Sequence, residues 1–272
     1  MTQRGVSVIN TKLKPFYMKR MYALSLLFSV LGLTLCLFET NAQEPPLSDR
    51  IVFEEIDGIL SVEAEYFYKQ THDEQRKWYV THKENLPNVG RDEDTPHIFE
   101  SSNNAYLEVL PDTRITHDDK LIPGENFSNE PGKMAILYYK VAFKHPGRYY
   151  VWVRAFSAGG EDNGIHVGLD GTWPDSGQRM QWCEGKHKWH WESKQRTEAV
   201  HCGEPWKIYL DIETPGEHEI MFSLREDGFE FDKFILAKGT TFVPEGQGPA
   251  ATISNGKLPT AFEKVSENFK FN

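Results

Sequence analysis

Extended segments in which apolar and polar residues alternate recur along this chain, and that alternation restricts the fold more than any other feature of the sequence. Between Tyr149 and Phe156, Val151, Val153 and Ala155 fall on one side, while Trp152, Arg154 and Phe156 fall on the other. Successive side chains of a strand point to opposite faces, so one face of this segment belongs in a core. Gly164–Leu169 sends Ile165, Val167 and Leu169 inward, and Trp206, Ile208, Leu210 and Ile212 alternate with Lys207, Tyr209 and Asp211. Asn104–Leu110, Met134–Phe143, Glu219–Leu224 and Phe229–Ala237 read as strands in the same way, and Gly58–Phe67 (GILSVEAEYF) begins the ordered part. A short strand at Trp78–Thr81 interrupts the otherwise loop-like, polar stretch from Lys69 to Glu100. His145-Pro146-Gly147, Asp170-Gly171 and Thr214-Pro215-Gly216 are turn signals between these segments. No segment keeps a helical period. Many short strands between such turns predict an all-β sandwich.

The N-terminus is not read as part of that sandwich. Lys19-Arg20 precede an apolar run from Tyr22 to Phe38 that ends near Thr40-Asn41-Ala42, the charged, apolar and small-residue sequence of a secretory signal peptide. The run is shorter than the roughly 20 apolar residues a membrane span needs. Residues 1–42 are therefore expected to be a signal peptide cleaved after Ala42, with 1–17 as a spurious extension if Met18 is the start. Cys36 lacks the small residue that precedes a lipoprotein cysteine, so a lipid anchor is not expected. The expected compartment is secreted or periplasmic. About 230 residues follow, enough for one all-β domain: a lead-in at 43–57, the sandwich at 58–238, and a Gly/Pro/Ser/Thr-rich tail at 239–272 that trails along the surface. A formal net charge of −10 argues against nucleic acid as a partner.

Between two strands lies the stretch Trp173–Trp206. It holds Trp173, Trp182, Trp189, Trp191 and Trp206, five of the seven tryptophans, together with Cys183 and Cys202. From Arg179 to Arg196 it carries five basic residues, Arg179, Lys186, Lys188, Lys194 and Arg196, against Glu184 and Glu192. Long loops are functional or disordered, and disordered segments are poor in aromatics, so this one reads as a built surface. In an oxidising compartment Cys183 and Cys202 are expected to pair, which closes the loop and stabilises it by about 3 kcal/mol; free thiols or a metal pair are the alternative.

The order of several phrases along the chain resembles a known family. VEAE at the first strand, PGRYYVWVRA at mid-chain and FEFDKFIL at the last strand are similar to carbohydrate-binding modules of families 6 and 35, which are galactose-binding-like jelly-roll sandwiches. AYLEVLPDTR and FVPEGQGP also resemble domains appended to bacterial polysaccharide-degrading enzymes, including the C-terminal domain of family 115 glycoside hydrolases. The resemblance covers most of Gly58–Pro249 and implies a jelly roll that binds carbohydrate. It departs at the tryptophan stretch, which is longer and more aromatic than such modules carry.

The resemblance also implies a structural calcium. Glu63 and Glu65 alternate onto one strand face if the first strand runs on, and similar modules hold calcium between such an E-x-E and an aspartate of the last strand. Carried over by position, the ligands are Glu63, Glu65 and Asp232, completed by backbone carbonyls. A solvated acidic strand face is the alternative.

Sugar rings stack their C–H patches on aromatic faces and need a few fixed polar partners. Trp182, Trp189 and Trp191 are candidate walls, and Arg154, Asp162, Asn163, Arg179 and Lys194 are candidate polar partners. The same tryptophans also suit a satellite core. The loop's positive balance suits either a solvated face or recognition of an acidic or sulfated polysaccharide. No nucleophile elbow and no HExxH motif is present, so the expected function is a non-catalytic carbohydrate-binding protein. Two alternatives stand beside it. One is a small polysaccharide lyase or hydrolase drawing on His187, His190, Tyr209 and Arg179. The other is an accessory module that binds an exported carbohydrate-active enzyme.

Overall fold

A computed structural model of the chain describes residues 51–254; the expected signal peptide and the last part of the tail lie outside them. Thirteen strands make two sheets, and three single turns of 3-10 helix complete the regular structure of the described residues. No helix among those residues is long and apolar enough to cross a membrane.

The strands are β1 (Phe53–Glu54), β2 (Ile59–Glu63), β3 (Lys69–Thr71), β4 (Lys77–His82), β5 (Ala105–Leu110), β6 (Ile136–Phe143) and β7 (Gly147–Phe156). They continue as β8 (Gly164–Leu169), β9 (Met180–Gln181), β10 (His190–Glu192), β11 (Tyr209–Ile212), β12 (Gly216–Leu224) and β13 (Glu230–Lys238). The first sheet runs β1-β6-β12-β8-β9, with β3 also on β6. The second runs β10-β7-β13-β5-β4, with β11 also on β7 and β2 also on β13. The chain is thus an all-β sandwich of jelly-roll type.

Alternation fixes which faces meet. Val151, Val153 and Ala155 of β7 are fully buried against Tyr139, Val141, Ile220 and Phe222 of the other sheet. Between the layers, Phe222 lies 4.8 Å from Phe234 and 4.9 Å from Phe231, and Tyr139 lies 4.9 Å from Phe234, centroid to centroid. Such edge-on or tilted pairs each add about 0.5–1.5 kcal/mol beyond the area they bury. The predicted Asp170-Gly171 turn has φ of +48° and +75°, the left-handed pair that a two-residue hairpin requires, and it closes Leu169 onto Thr172.

One irregularity matters for the site. Phe231 and Phe234 both face the core although they are three residues apart. The pairing of β13 with β7 slips between Phe231 and Lys233, so a bulge at Asp232 absorbs the extra residue and reverses the phase. Beyond it Phe234 and Leu236 point inward, while Ile235 and Ala237 join Trp191 in a small apolar cluster on the outer face.

Three expectations change. The first strand ends at Glu63, and Ala64–Tyr66 form a 3-10 turn, so Glu63 and Glu65 do not share a strand face. The lead-in contributes β1, parallel to β6, and the buried Glu55, whose carboxylate accepts from the Lys144, His145 and Gly58 amides and the Tyr149 hydroxyl. The segment after Lys238 lies on the surface as expected, but it is docked. The Pro249 carbonyl accepts the Ser61 hydroxyl, and Ile253 bridges to Phe53.

Candidate functional site

The tryptophan stretch divides its aromatics among three places, and local pairing decides which goes where. Trp173 lies on the first sheet, its indole against Gly132 and Gly168, where a Cβ would come within 3 Å of the ring. Met180 and Gln181 then pair with Ile165 and Gly164 as an edge strand, and the Trp182 amide donates to the Asn163 carbonyl. Alternation through Met180-Gln181-Trp182 turns Met180 and Trp182 into the core. Trp182 is 0% exposed, with Phe229 5.1 Å away. Trp182 is therefore a core residue and no wall of a binding site. The period-2 pattern of MQW was the signal that sequence reading missed.

From there the chain crosses to the second sheet. Cys183 and Cys202 form the expected disulfide, with Cα atoms 5.4 Å apart. His190, Trp191 and Glu192 pair with Ala155, Arg154 and Val153 along β7, which sets Trp189 and Trp191 beside the outward residues of that strand. The result is a cleft of about 640 Å³ on the outer face, walled by Trp152, Trp189 and Trp191 and floored by Arg154. Its far side is the docked segment Val243–Gln247. The Trp191 indole donates to the Gly246 carbonyl at 3.0 Å, and a Cβ on Gly248, φ +70°, would reach within 2.9 Å of the Trp191 ring. Backbone and ring are thus in direct contact. A second hollow of about 220 Å³ adjoins across Trp152 and Trp191 and ends at Trp206. Trp206 stands edge-on to Trp152 at 5.6 Å and to Tyr150 at 5.4 Å, with φ at +61°. A bulky residue held in the left-handed region is an outlier of the sort that clusters at functional sites.

The polar groups are few. The Trp152 Nε1 and Arg154 Nε atoms are buried without a partner in the protein. His190 is half-buried, and burial, then the Lys188 and Lys194 ammonium groups, lower its pKa, so a neutral imidazole faces the cleft at neutral pH. Lys194 reaches Glu192 at 3.1 Å and Glu184 at 3.4 Å. Phe99, 85% exposed, stands near the rim through the Phe99 carbonyl that accepts the Trp189 indole.

Sequence reading placed eight residues at one site, and the structure brings four together: Arg154, Trp189, Trp191 and Lys194. Sequence reading does not place Trp152 or the 243–247 segment there, and it names His190 only for a lyase and Trp206 only within the tryptophan stretch, neither as a sugar contact. Asp162 is corrected because its carboxylate turns back on its own loop, accepting from the Ser157 hydroxyl and the Ala158 and Gly159 amides, as short acidic side chains do in turns. Asn163 is spent between strands, on Gln181 and the Glu226 carboxylate. Arg179 sits at the β8–β9 edge of the first sheet, its amide on His166 and its guanidinium 3.5 Å from Glu198. Of the residues named for a lyase, His190 lines the cleft, while Arg179 lies at the other sheet's edge, the His187 amide bonds Ser157, and Tyr209 lies under the Arg148 guanidinium.

The residues carried over for calcium do not fit that ion. Lys233 Nζ lies 2.8 Å from Glu63 and Arg154 Nη1 lies 2.6 Å from Asp232, so two of the three carboxylates already face a cation. Asp232 also accepts the Ser102 amide, and Glu65 accepts the Asn103 side-chain amide. Burial, then the charge of Glu63, holds the Glu65 carboxyl well above the ordinary range. Two unpaired oxygens remain, Glu63 Oε2 and Glu65 Oε2, short of the six to eight that calcium takes.

No family model matches the chain. An uncharacterised protein, P23, of Formosa agariphila is 56% identical over 250 residues, which cover 92% of this chain and 60% of that protein. The chain thus spans about three-fifths of the length of the curated relative it matches. Among solved structures, the C-terminal CBM6 of the laminarinase LamC from Zobellia galactanivorans overlaps at a TM-score of 0.33 and 12% identity, over 66% of this chain and 99% of that one. A CBM35 from Paenibacillus barcinonensis overlaps at 0.32 and 9%, over 66% and 98%. The GH26-CBM35 mannanase of Podospora anserina overlaps at 0.35 and 12%, over 70% and 29%. At such distances the site has to be read from its own residues.

Proposed function

We propose that this chain is a secreted carbohydrate-binding protein that holds an extended polysaccharide in the outer-face cleft. The observation that carries the reading is the aromatic lining of two adjoining hollows, with Trp189, Trp191, Trp152 and Trp206 in succession. Sugar-binding clefts are built from such walls and a few convergent polar groups. The half-buried His190, which lines both hollows, supplies a donor or acceptor for hydroxyls. Two hollows in line suit a chain of sugars better than a single residue. The disulfide suits an oxidising compartment.

The cleft favours a neutral chain over an acidic or sulfated one. Glu100, Glu245 and Glu192 balance Arg154 and Lys194 along its lining, and Arg154 already faces Asp232. Two other basic residues of the stretch lie elsewhere, Arg179 on Glu198 and Lys186 on Ser157 and Gly159.

A glycan-array screen of the mature chain tests the reading. A narrow set of neutral polysaccharides should bind, and Trp206→Ala should weaken that binding about tenfold, or about 1.4 kcal/mol, in a folded protein. A folded wild-type protein silent on every glycan would overturn the proposal and point to a protein partner, such as an exported enzyme. Retention by sulfated glycans alone would overturn the preference for a neutral chain.

A further inference from the structure

Glu108 of β5 and Glu230 of β13 are direct cross-strand partners, and they are 6% and 2% exposed. Like charges in that relation destabilise a sheet, and a buried carboxylate needs a counter-charge. Among the described residues no lysine or arginine provides one to Glu108, Glu230, Asp92 or Asp94, and Glu230 Oε1 meets the His97 ring. The contrast with Glu63 and Asp232, each with its own cation, is direct. Glu230 Oε2 is buried with no partner at all. It faces a cavity of about 10 Å³ that Asp92, Asp94, Tyr106 and Glu108 also line, close to the room one water-sized sphere takes.

We propose that Asp94, His97 and Glu230 hold a divalent cation of the zinc or manganese class beside this cavity, which Asp94 and Glu230 line. One ligand atom from each of the three lies within 4.8 Å of the others. His97 Nδ1 and Glu230 Oε1 are hydrogen-bonded at 2.6 Å, and the cation would replace that bond, drawing the two atoms apart to the roughly 3–3.4 Å at which ligands sit on a shell with bonds of about 2.0–2.2 Å. The His97 ring is held by stacking on Phe156, with centroids 3.6 Å apart and planes at 14°. An imidazole among carboxylates selects against calcium, which takes oxygen, and for zinc or manganese. The ion would also neutralise the Glu108–Glu230 pair. Its strap, residues 94–99, carries the His97 and Phe99 carbonyls that accept the Trp189 indole at 3.0 and 3.2 Å.

Calorimetric titration of the EDTA-treated full chain with zinc chloride, manganese chloride and calcium chloride tests the site without reference to any glycan. One zinc or manganese ion per chain is expected, with calcium much weaker. Asp94→Asn and His97→Gln should each weaken uptake by roughly 10- to 100-fold, while Glu63→Gln leaves it unchanged. Asp94 and His97 are partly exposed, and near-ultraviolet circular dichroism confirms that the variants fold. Failure of the folded wild-type chain to take up zinc or manganese would overturn the proposal. So would uptake unaltered by Asp94→Asn and His97→Gln, or calcium uptake abolished by Glu63→Gln.

Discussion

Lys233 Nζ lies 2.8 Å from Glu63 Oε1 across the register pair that joins β13 to β2, and both residues are buried. Removing one partner of a buried pair strands the other charge. Lys233→Met should cost about 3–5 kcal/mol in urea unfolding, and Lys233→Met/Glu63→Gln should recover most of it. Added calcium should leave the wild-type Tm where it is; a calcium-dependent rise would show that the E-x-E residues keep the role the sequence resemblance implies.

Two tryptophans nine residues apart should respond to different degrees. Trp182→Ala opens a cavity between the sheets and should cost about 3–5 kcal/mol. Trp191→Phe, which keeps the packing on Ile235 but loses the donor to Gly246, should cost only about 1 kcal/mol and should loosen the 243–247 segment. Hydrogen exchange at residues 242–249 reads that loosening directly.

Glu55 sets an acid limit on the fold. Burial alone would raise its carboxyl, yet the His145 side chain, the Tyr149 hydroxyl and the Lys144 and Gly58 amides outweigh it and hold the pKa down to about 2. A depressed carboxylate stabilises fully above its ordinary value, near 4.3, and that contribution fades as pH falls through the folded value. The stability gap between wild type and Glu55→Gln should therefore be constant above pH 5 and close as pH falls toward 2. A gap that persists unchanged at pH 2 would show that the carboxylate's charge is not what holds the strand ends.

Reduction of Cys183–Cys202 should lower stability by about 2–4 kcal/mol, and Cys183→Ser/Cys202→Ser should reproduce the loss without reductant. The glycan affinity of the double variant should fall along with it, because the disulfide closes the loop that carries Trp189 and Trp191.

The strands, their inward faces and the cystine pair were legible because each depends on local alternation or on a count of two cysteines. What escaped was set by relationships no local pattern carries. The bulge at Asp232 adds one residue to a strand that reads as regular, so the outward position of Ile235 had to be seen. VEAE reads as continuous strand, but the chain turns at Ala64, and Glu65 accepts the Asn103 side-chain amide instead of continuing the strand face of Glu63. Residues 243–247 have no period at all; they touch the site through backbone carbonyls, which leave no mark on side-chain composition. Trp152 was visible as an outward residue of its strand and was passed over for the more conspicuous tryptophans of the loop.

Strand β13 has β7 on one side and β2 and β5 on the other. The early strands of that sheet therefore have no partner linking them to the middle of the chain until the last strand inserts between them. Synthesis runs from the N-terminus, so a nascent chain lacking residues 230–238 cannot close its second sheet. Pairings of such long sequence separation form slowly. Residues 230–238 must therefore be made before the two halves of that sheet can join, which sets closure of the sheet late in folding.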